Sequence, residues 1–307
     1  GETSKSRPVP VKKEPPAAEP ATKELTAVVS SEPPVQAPDA QVHEIQLRRE
    51  FRLEPRDSIV ITWKEHETLQ HDHPALEHLL ERLADWDAGT TSRGWGPPNY
   101  SLAMRGEFLP YLTSQDKETL KDRLREVIVP MVPPNYYTAW PPAYYIASAI
   151  GMHREVASVI EGIPSGHYKT DSQGFYHDYY HKPQWLVFGL GDRASVIREF
   201  KRLGIALRDE EQARAWLAIT EHEGLDVLGD SVCREANKDR AAELAKALLR
   251  VSAPEAALPA LQIATQSKAP RTGLQWLAEN PIEAVVGLVS AAMTPGKLSA
   301  AAKEHLL

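Results

Sequence analysis

The chain has 307 residues, a formal net charge of −7 and a single cysteine, Cys233. The acidic balance disfavours nucleic acid and anionic membranes as default partners, and one cysteine excludes an internal disulfide or a metal site with two thiolates from this chain. No apolar run approaches the roughly eighteen residues that a membrane-spanning helix needs. The plain interpretation is a soluble, cytoplasmic protein.

Residues 1–43 have the composition of a disordered, proline-rich linker. The first forty residues contain eight of the 25 prolines, and the first fifty contain no Phe, Trp or Tyr. Such a segment cannot bury enough apolar surface to offset the chain entropy lost on folding. We therefore expect the ordered part of the chain to begin near residue 44.

Residues 44–182 are predicted to form a helical region interrupted by loops rich in proline and aromatic residues. Alternation around Phe51 and a β-branched segment ending at Trp63 suggest a short hairpin that turns at residues 54–57. Apolar residues at helical spacing, together with start and stop signals, predict three helices. These helices cover residues 74–89, 115–129 and 143–160.

Residues 183–307 are predicted to form HEAT-like helical repeats, so the fold class is mostly α, an α-solenoid of stacked helical hairpins. The helices expected after the Asp192 and Asp209 caps are followed by others over residues 225–235, 239–251, 254–266, 271–279, 281–292 and from 297 onward. Residues 254–261 and 281–288 resemble each other with a one-residue shift, which supports a repeat.

The two ends of the sequence suggest a portion of a longer protein. The chain begins at Gly1 rather than Met, and the helix predicted from Lys297 reaches Leu307 without a stop signal. We expect the repeat region to be truncated at its C-terminus.

Three histidines, His71, His73 and His78, lie around the predicted start of the helix over residues 74–89. Neutral imidazoles are good ligands for zinc, nickel or copper, so a metal site is one interpretation. Their spacing matches no zinc signature, however, and solvated polar residues at a helix start are the favoured interpretation. No metal is predicted.

The sequence Gly189-x-Gly191-x-x-Ala194 admits two interpretations. Between a strand and a helix it would be a dinucleotide-binding loop, and Asp209 stands about twenty residues further on, where a ribose-binding carboxylate would lie. That site needs a parallel sheet, and the surrounding pattern is helical. The favoured interpretation is a helix that ends at the glycines, followed by a helix capped by Asp192.

An ordered series of short motifs between residues 184 and 307 resembles the middle region of the MolR-like family. The motifs are LVFGLGD (186–192), QARAWLA (212–218), APEAA (253–257), SKAP (267–270), QWLAENP (275–281) and AVVGL (284–288). Members of this family are large bacterial proteins that often carry an N-terminal WGR module, a HEAT-like helical middle and a C-terminal domain of unknown function. The resemblance implies the helical fold but no catalytic residues.

The resulting functional hypothesis is a non-catalytic helical scaffold within a larger bacterial protein. No cofactor is predicted, and the expected partners are another protein or flanking domains of the same chain. Nucleic-acid binding would belong to a WGR-type module, which this sequence lacks. The alternative is a nucleotide-binding enzyme region that uses Gly189, Gly191 and Asp209.

Overall fold

Twelve α-helices make up most of the residues that the computed structural model describes, namely 47–53, 76–77, 79–81, 109–130, 140–169 and 183–307. Among them, one two-stranded antiparallel sheet joins β1 (Glu50–Phe51) to β2 (Val251–Ser252). The helices are α1 (Ser114–Val127), α2 (Pro142–Ala149), α3 (His153–Glu161), α4 (Gln184–Phe188), α5 (Arg193–Leu203), α6 (Glu210–Thr220), α7 (Leu225–Arg234), α8 (Lys238–Ala245), α9 (Ala257–Gln266), α10 (Pro270–Glu279), α11 (Pro281–Met293) and α12 (Ser299–Leu306). The mostly α fold class is confirmed.

Short 3-10 helices occur at several of the junctions. They cover Leu109–Tyr111, Glu221–Gly224, Lys246–Arg250 and Pro254–Ala256. The last of these leads directly into α9, so the helix predicted over residues 254–266 begins with a tighter turn. The helix predicted over residues 239–251 likewise ends as a 3-10 helix before β2.

The first two predicted helices differ in how much of them is described. Positions 76–77 and 79–81 are helical, and the rest of residues 74–89 lies outside the described residues. The second is confirmed as α1, which begins after Thr113. The Thr113 hydroxyl accepts from the Asp116 backbone N–H at 3.1 Å, and the Asp116 carboxylate accepts from the Thr113 N–H at 3.0 Å. This capping box satisfies two backbone donors at the helix start.

The third predicted helix is in fact two helices. Gly151 lies between α2 and α3 with φ +79°, a left-handed conformation that redirects the chain. Glycine adopts this conformation readily, whereas a side chain at Cβ disfavours it. The prediction of one helix over residues 143–160 is therefore wrong. A lone glycine within a helical pattern does not by itself show whether the helix continues.

Three aromatic side chains from consecutive helices pack at one centre of the core. Phe200 of α5 and Trp216 of α6 have ring centroids 4.5 Å apart, and Phe188 of α4 lies 6.1 Å from each of them. All three side chains are buried. The Trp216 indole N–H also donates to the Gly224 carbonyl at 2.8 Å, which fixes α6 against the turn that follows it.

From α4 onward, helices at alternate positions are neighbours and form two rows. In the first row α4 contacts α6, α6 contacts α8, and α8 contacts α10; in the second, α7 contacts α9 and α9 contacts α11. An ion pair of 2.6 Å between Lys201 and Asp226 places α5 beside α7 at the start of the second row. Each pair, α6–α7, α8–α9 and α10–α11, therefore adds one helix to each row. Helix α12 packs against α11 and α9.

Residues 47–53, here called the strap, contact the connections within three successive helix pairs. The strap meets Asn280 between α10 and α11, residues 250–252 between α8 and α9, and His222 between α6 and α7. These connections are distant in sequence from the strap and from one another. One extended segment therefore ties together three pairs that are otherwise joined by helix packing.

The strongest contact of the strap is the ion pair between Arg48 and Glu283. The Arg48 guanidinium donates to both carboxylate oxygens, each at 2.9 Å, and the Arg48 backbone N–H donates to Glu283 at 3.2 Å. The same guanidinium donates to the Asn280 side-chain oxygen at 3.2 Å. Only 2% of the Glu283 side chain is exposed, so this carboxylate depends on Arg48 for its charge partner.

The rest of the strap pairs with β2 and the turn beside it. Phe51 pairs in register with Val251, and the Arg52 N–H donates to the Arg250 carbonyl at 2.8 Å. The Phe51 ring lies 4.3 Å from the His222 ring, edge to face. The sequence suggested a local hairpin for this segment, whereas the strand partner of Phe51 is two hundred residues away along the chain. The second predicted strand, residues 58–63, lies outside the described residues.

Loss of the buried pair should destabilise the protein more than loss of an exposed one. Replacing Arg48 by alanine leaves a buried carboxylate without its cation, whereas Arg49→Ala breaks a surface pair with Glu255 whose side chains are 64% and 35% exposed. Urea denaturation at pH 7 should show a clearly lower midpoint for Arg48→Ala and a nearly unchanged one for Arg49→Ala.

The stabilisation that Arg48 provides should depend on pH. The hydrogen bond from Arg48 lowers the pKa of Glu283 from 4.5 to about 2. A depressed pKa stabilises the folded state above pH 4.5, and that contribution disappears as the pH falls toward 2. Without Arg48, burial raises the pKa of Glu283 in the variant, so the difference in unfolding free energy between wild type and Arg48→Ala should be larger at pH 7 than at pH 3. An undiminished difference at pH 3 would contradict this account.

Candidate interaction surface

The first cleft on the second row of helices lies between α5 and α7. It has a volume of about 250 Å³, and the ion pair between Lys201 and Asp226 lies at its edge. The other lining residues are Phe200, Gly204, Ile205, Val227, Asp230, Ser231 and Arg234. The cleft therefore presents apolar and polar surface in similar amounts, with charged side chains around it.

A larger cleft lies between α7, α9 and α11, and the turn before α12 closes one side of it. Its volume is about 680 Å³. Leu258, Gly287 and Ala291 supply apolar surface, and the polar lining comes from Asp230, Gln262, Gln266, Ser290, Thr294, Lys297 and Ser299. Amide, hydroxyl, carboxylate and ammonium groups therefore border one apolar patch.

Asp230 lines both clefts and joins them. Its carboxylate accepts a hydrogen bond of 2.7 Å from the Gln262 side-chain amide. Asp230 and Asp226 are four residues apart on α7, which places them on the same face of the helix. Asp226 is paired with Lys201, but no Lys or Arg of the described residues forms an ion pair with Asp230. The carboxylate is exposed and has remaining capacity to accept hydrogen bonds from a ligand.

Cys233 lies one turn beyond Asp230 on α7. Its thiol is 3.7 Å from the Gln262 carbonyl oxygen. Burial, with the negative charge of Asp230 added, raises the pKa of Cys233 to about 11. The thiolate is the nucleophilic form of cysteine, so this side chain is an unreactive thiol near neutral pH. Its role beside the cleft is packing.

The side chains that line these clefts can contact a ligand through hydrogen bonds, charge and apolar surface. Within the described ranges, no group of three or more His, Cys, Asp or Glu side chains could hold a metal ion. Over the same ranges, no helix combines the length and the hydropathy needed to cross a bilayer. Both clefts are open, and their side chains suit an extended ligand with donors and apolar groups.

Gly189 and Gly191 are positions of close packing. Residues 184–188, which the nucleotide-binding interpretation requires to be a strand, form helix α4, and Gly189 ends it. A Cβ at Gly189 would lie 2.0 Å from the Ser148 hydroxyl oxygen, and one at Gly191 would lie 2.7 Å from the His153 ring. The Gly189 carbonyl is 2.7 Å from Nδ1 of His153. Side chains of α2 and α3 therefore occupy the space beside both glycines.

Both aspartates near this segment are helix caps. Asp192 accepts from the Ser195 backbone N–H at 2.8 Å, and this bond lowers the pKa of Asp192. Asp209 accepts from the Gln212 N–H, also at 2.8 Å. The Gln212 side chain in turn accepts from the N–H of Arg208, the residue before the cap. The helix-end interpretation of the glycine segment is confirmed, and the strand it competed with is wrong.

The histidine hypothesis concerns residues that the structure does not describe. His71, His73 and His78 all lie outside the described residues. A metal site at these positions stays a hypothesis from the sequence.

No motif in the sequence singles out the residues that line the clefts. Asp230 and Gln262 lie on helices that the sequence predicted correctly, but which residues of two helices meet depends on how the helices pack. A usable signal was present in α7, where Asp226 and Asp230 follow at helical spacing within an otherwise apolar helix. That pattern predicts that both carboxylates face solvent on one side of α7, but it does not show which residues of other helices lie beside them.

The chain was compared with protein families, with proteins of known function and with solved structures. No family model, no curated protein and no solved structure matches this sequence.

The packing role of Gly189 predicts a loss of stability on substitution. Gly189→Ala would force α4 away from Ser148, so the unfolding free energy should fall by about 1–3 kcal/mol, as for other overpacked sites. Gly296→Ala is the control, because the nearest heavy atom would be 4.0 Å from its new Cβ. Equal denaturation midpoints for the two variants would contradict the packing role.

Proposed function

We propose that this protein is a helical scaffold that binds a partner polypeptide along the second row of helices. The observation that supports this is the pair of adjoining clefts that meet at Asp230. An exposed carboxylate that forms no ion pair with the described residues, placed between two clefts of mixed apolar and polar surface, suits a segment that brings a cationic side chain between two apolar ones. The function is recognition without catalysis.

A HEAT-like arrangement of the helix pairs is part of the same proposal. The two rows of alternate helices and the strap across three connections are what support it. In repeats of this kind each pair contacts its immediate neighbours and a continuous surface runs across them. The resemblance to the helical middle region of the MolR-like family agrees with this proposal, and it suggests that the scaffold works within a larger protein.

The competing proposal, a nucleotide site at Gly189 and Gly191, has less support. Phosphate binding at a glycine-rich loop requires that a ligand approach the backbone closely. Ser148 and His153 already lie against that backbone, and the Asp192 carboxylate occupies the start of α5. Asp209 is likewise engaged as a cap. No observation at this segment favours a bound nucleotide over the packing that fills it.

Selection of peptides from a phage-displayed random library tests the scaffold proposal. Peptides enriched on the wild-type protein should contain Lys or Arg beside apolar residues, because Asp230 lies between the two clefts. Their affinity for Asp230→Ala should fall at least about tenfold, equivalent to about 1.4 kcal/mol. Asp239→Ala, on an exposed position of α8 away from the clefts, should bind like wild type. Peptides that bind Asp230→Ala and wild type equally would contradict the proposal.

A further inference from the structure

One face of α11 carries exposed apolar side chains along its whole length. Ile282, Val285, Val286, Val289 and Met293 are between 44% and 79% exposed. We call them the α11 stripe. Ala284, Leu288 and Ala292 lie on another face and are buried. At 100° per residue the centres of the two sets lie roughly 115° apart around the helix, so α11 is apolar on two faces. A helix of that kind is normally covered on both sides.

The α11 stripe is also uncharged. Glu283 is the one charged residue within Pro281–Met293, and it is buried in the ion pair with Arg48. A second copy of the same face could approach without like-charge repulsion. Glu279 precedes the helix and Lys297 follows it, both exposed, so an antiparallel approach brings ends of opposite charge together.

Four of the five stripe residues have a spacing that is the same in both directions along the helix; Val285 is the exception, since Ser290 stands at the equivalent position. Ile282, Val286, Val289 and Met293 are separated by four, three and four residues. Two antiparallel copies therefore align Ile282 of one with Met293 of the other, and Val286 with Val289. A two-fold interface needs a surface that is complementary to itself in this way. Valines at its centre allow the two helices to pack closely.

We propose that the α11 stripe binds a second copy of this chain and forms a two-fold symmetric, antiparallel dimer. None of the five stripe residues lines a cleft, so the dimer does not depend on the scaffold proposal. Two copies of the stripe and its border bury on the order of 1,000 Å², the lower limit for a specific interface. An interface at this lower limit is weak and transient, so association is tested across the micromolar range.

Sedimentation equilibrium of the full chain tests the association. The average mass of the wild type should rise from one copy toward two as concentration increases through the micromolar range. Val286→Lys places two ammonium groups near the two-fold axis and should weaken association at least tenfold. Leu258→Lys changes an exposed leucine of the large cleft and should leave association unchanged. A wild type that stays monomeric, or a Leu258→Lys effect equal to that of Val286→Lys, would overturn the proposal.

Cysteine cross-linking tests the direction of pairing. In a Cys233→Ser background, Ile282→Cys and Met293→Cys are made in separate chains, mixed, and oxidised with copper phenanthroline. The antiparallel dimer predicts cross-linking between the two different chains and little within either pure variant. Cross-linking of pure Ile282→Cys with itself would indicate parallel pairing, and no cross-link in any sample would mean that another partner covers the stripe. Either result overturns the proposal.

Discussion

The ion pair between Arg48 and Glu283 is the interaction on which the arrangement of the helix pairs depends. A carboxylate at the start of α11 is almost fully buried, and it is stable there because the guanidinium from the strap engages both of its oxygens. Once Arg48 is held there, the next residues lie along β2 and reach His222. A single charged contact therefore anchors a segment that touches the connections of three pairs.

The strap contacts the connections of three helix pairs, whereas the clefts at Asp230 and the α11 stripe are exposed. The clefts offer charge and hydrogen bonds, whereas the α11 stripe offers only apolar contact. Two surfaces of such different chemistry suit two different partners, and for the stripe a second copy of the chain satisfies its symmetry.

Local signals in the sequence predicted the helices well and their contacts poorly. Asp192, Asp209 and the prolines at helix starts act within one turn, so the sequence alone locates the helices that they begin. Phe51 was assigned to a local hairpin, because nothing in its neighbours indicates a strand partner at Val251. Gly191 resembled a phosphate-binding residue because close approach of a ligand and close approach of His153 require the same absence of a side chain.

Native-state hydrogen exchange of Arg48→Ala, compared with wild type, tests the central claim about the strap most directly. If the strap acts as a unit, backbone amides near Asn280, Ser252 and Gly224 should all lose protection together, although only the first lies beside the altered residue. Protection lost near Asn280 and unchanged near Ser252 and Gly224 would show that the three contacts are independent, which would contradict the account.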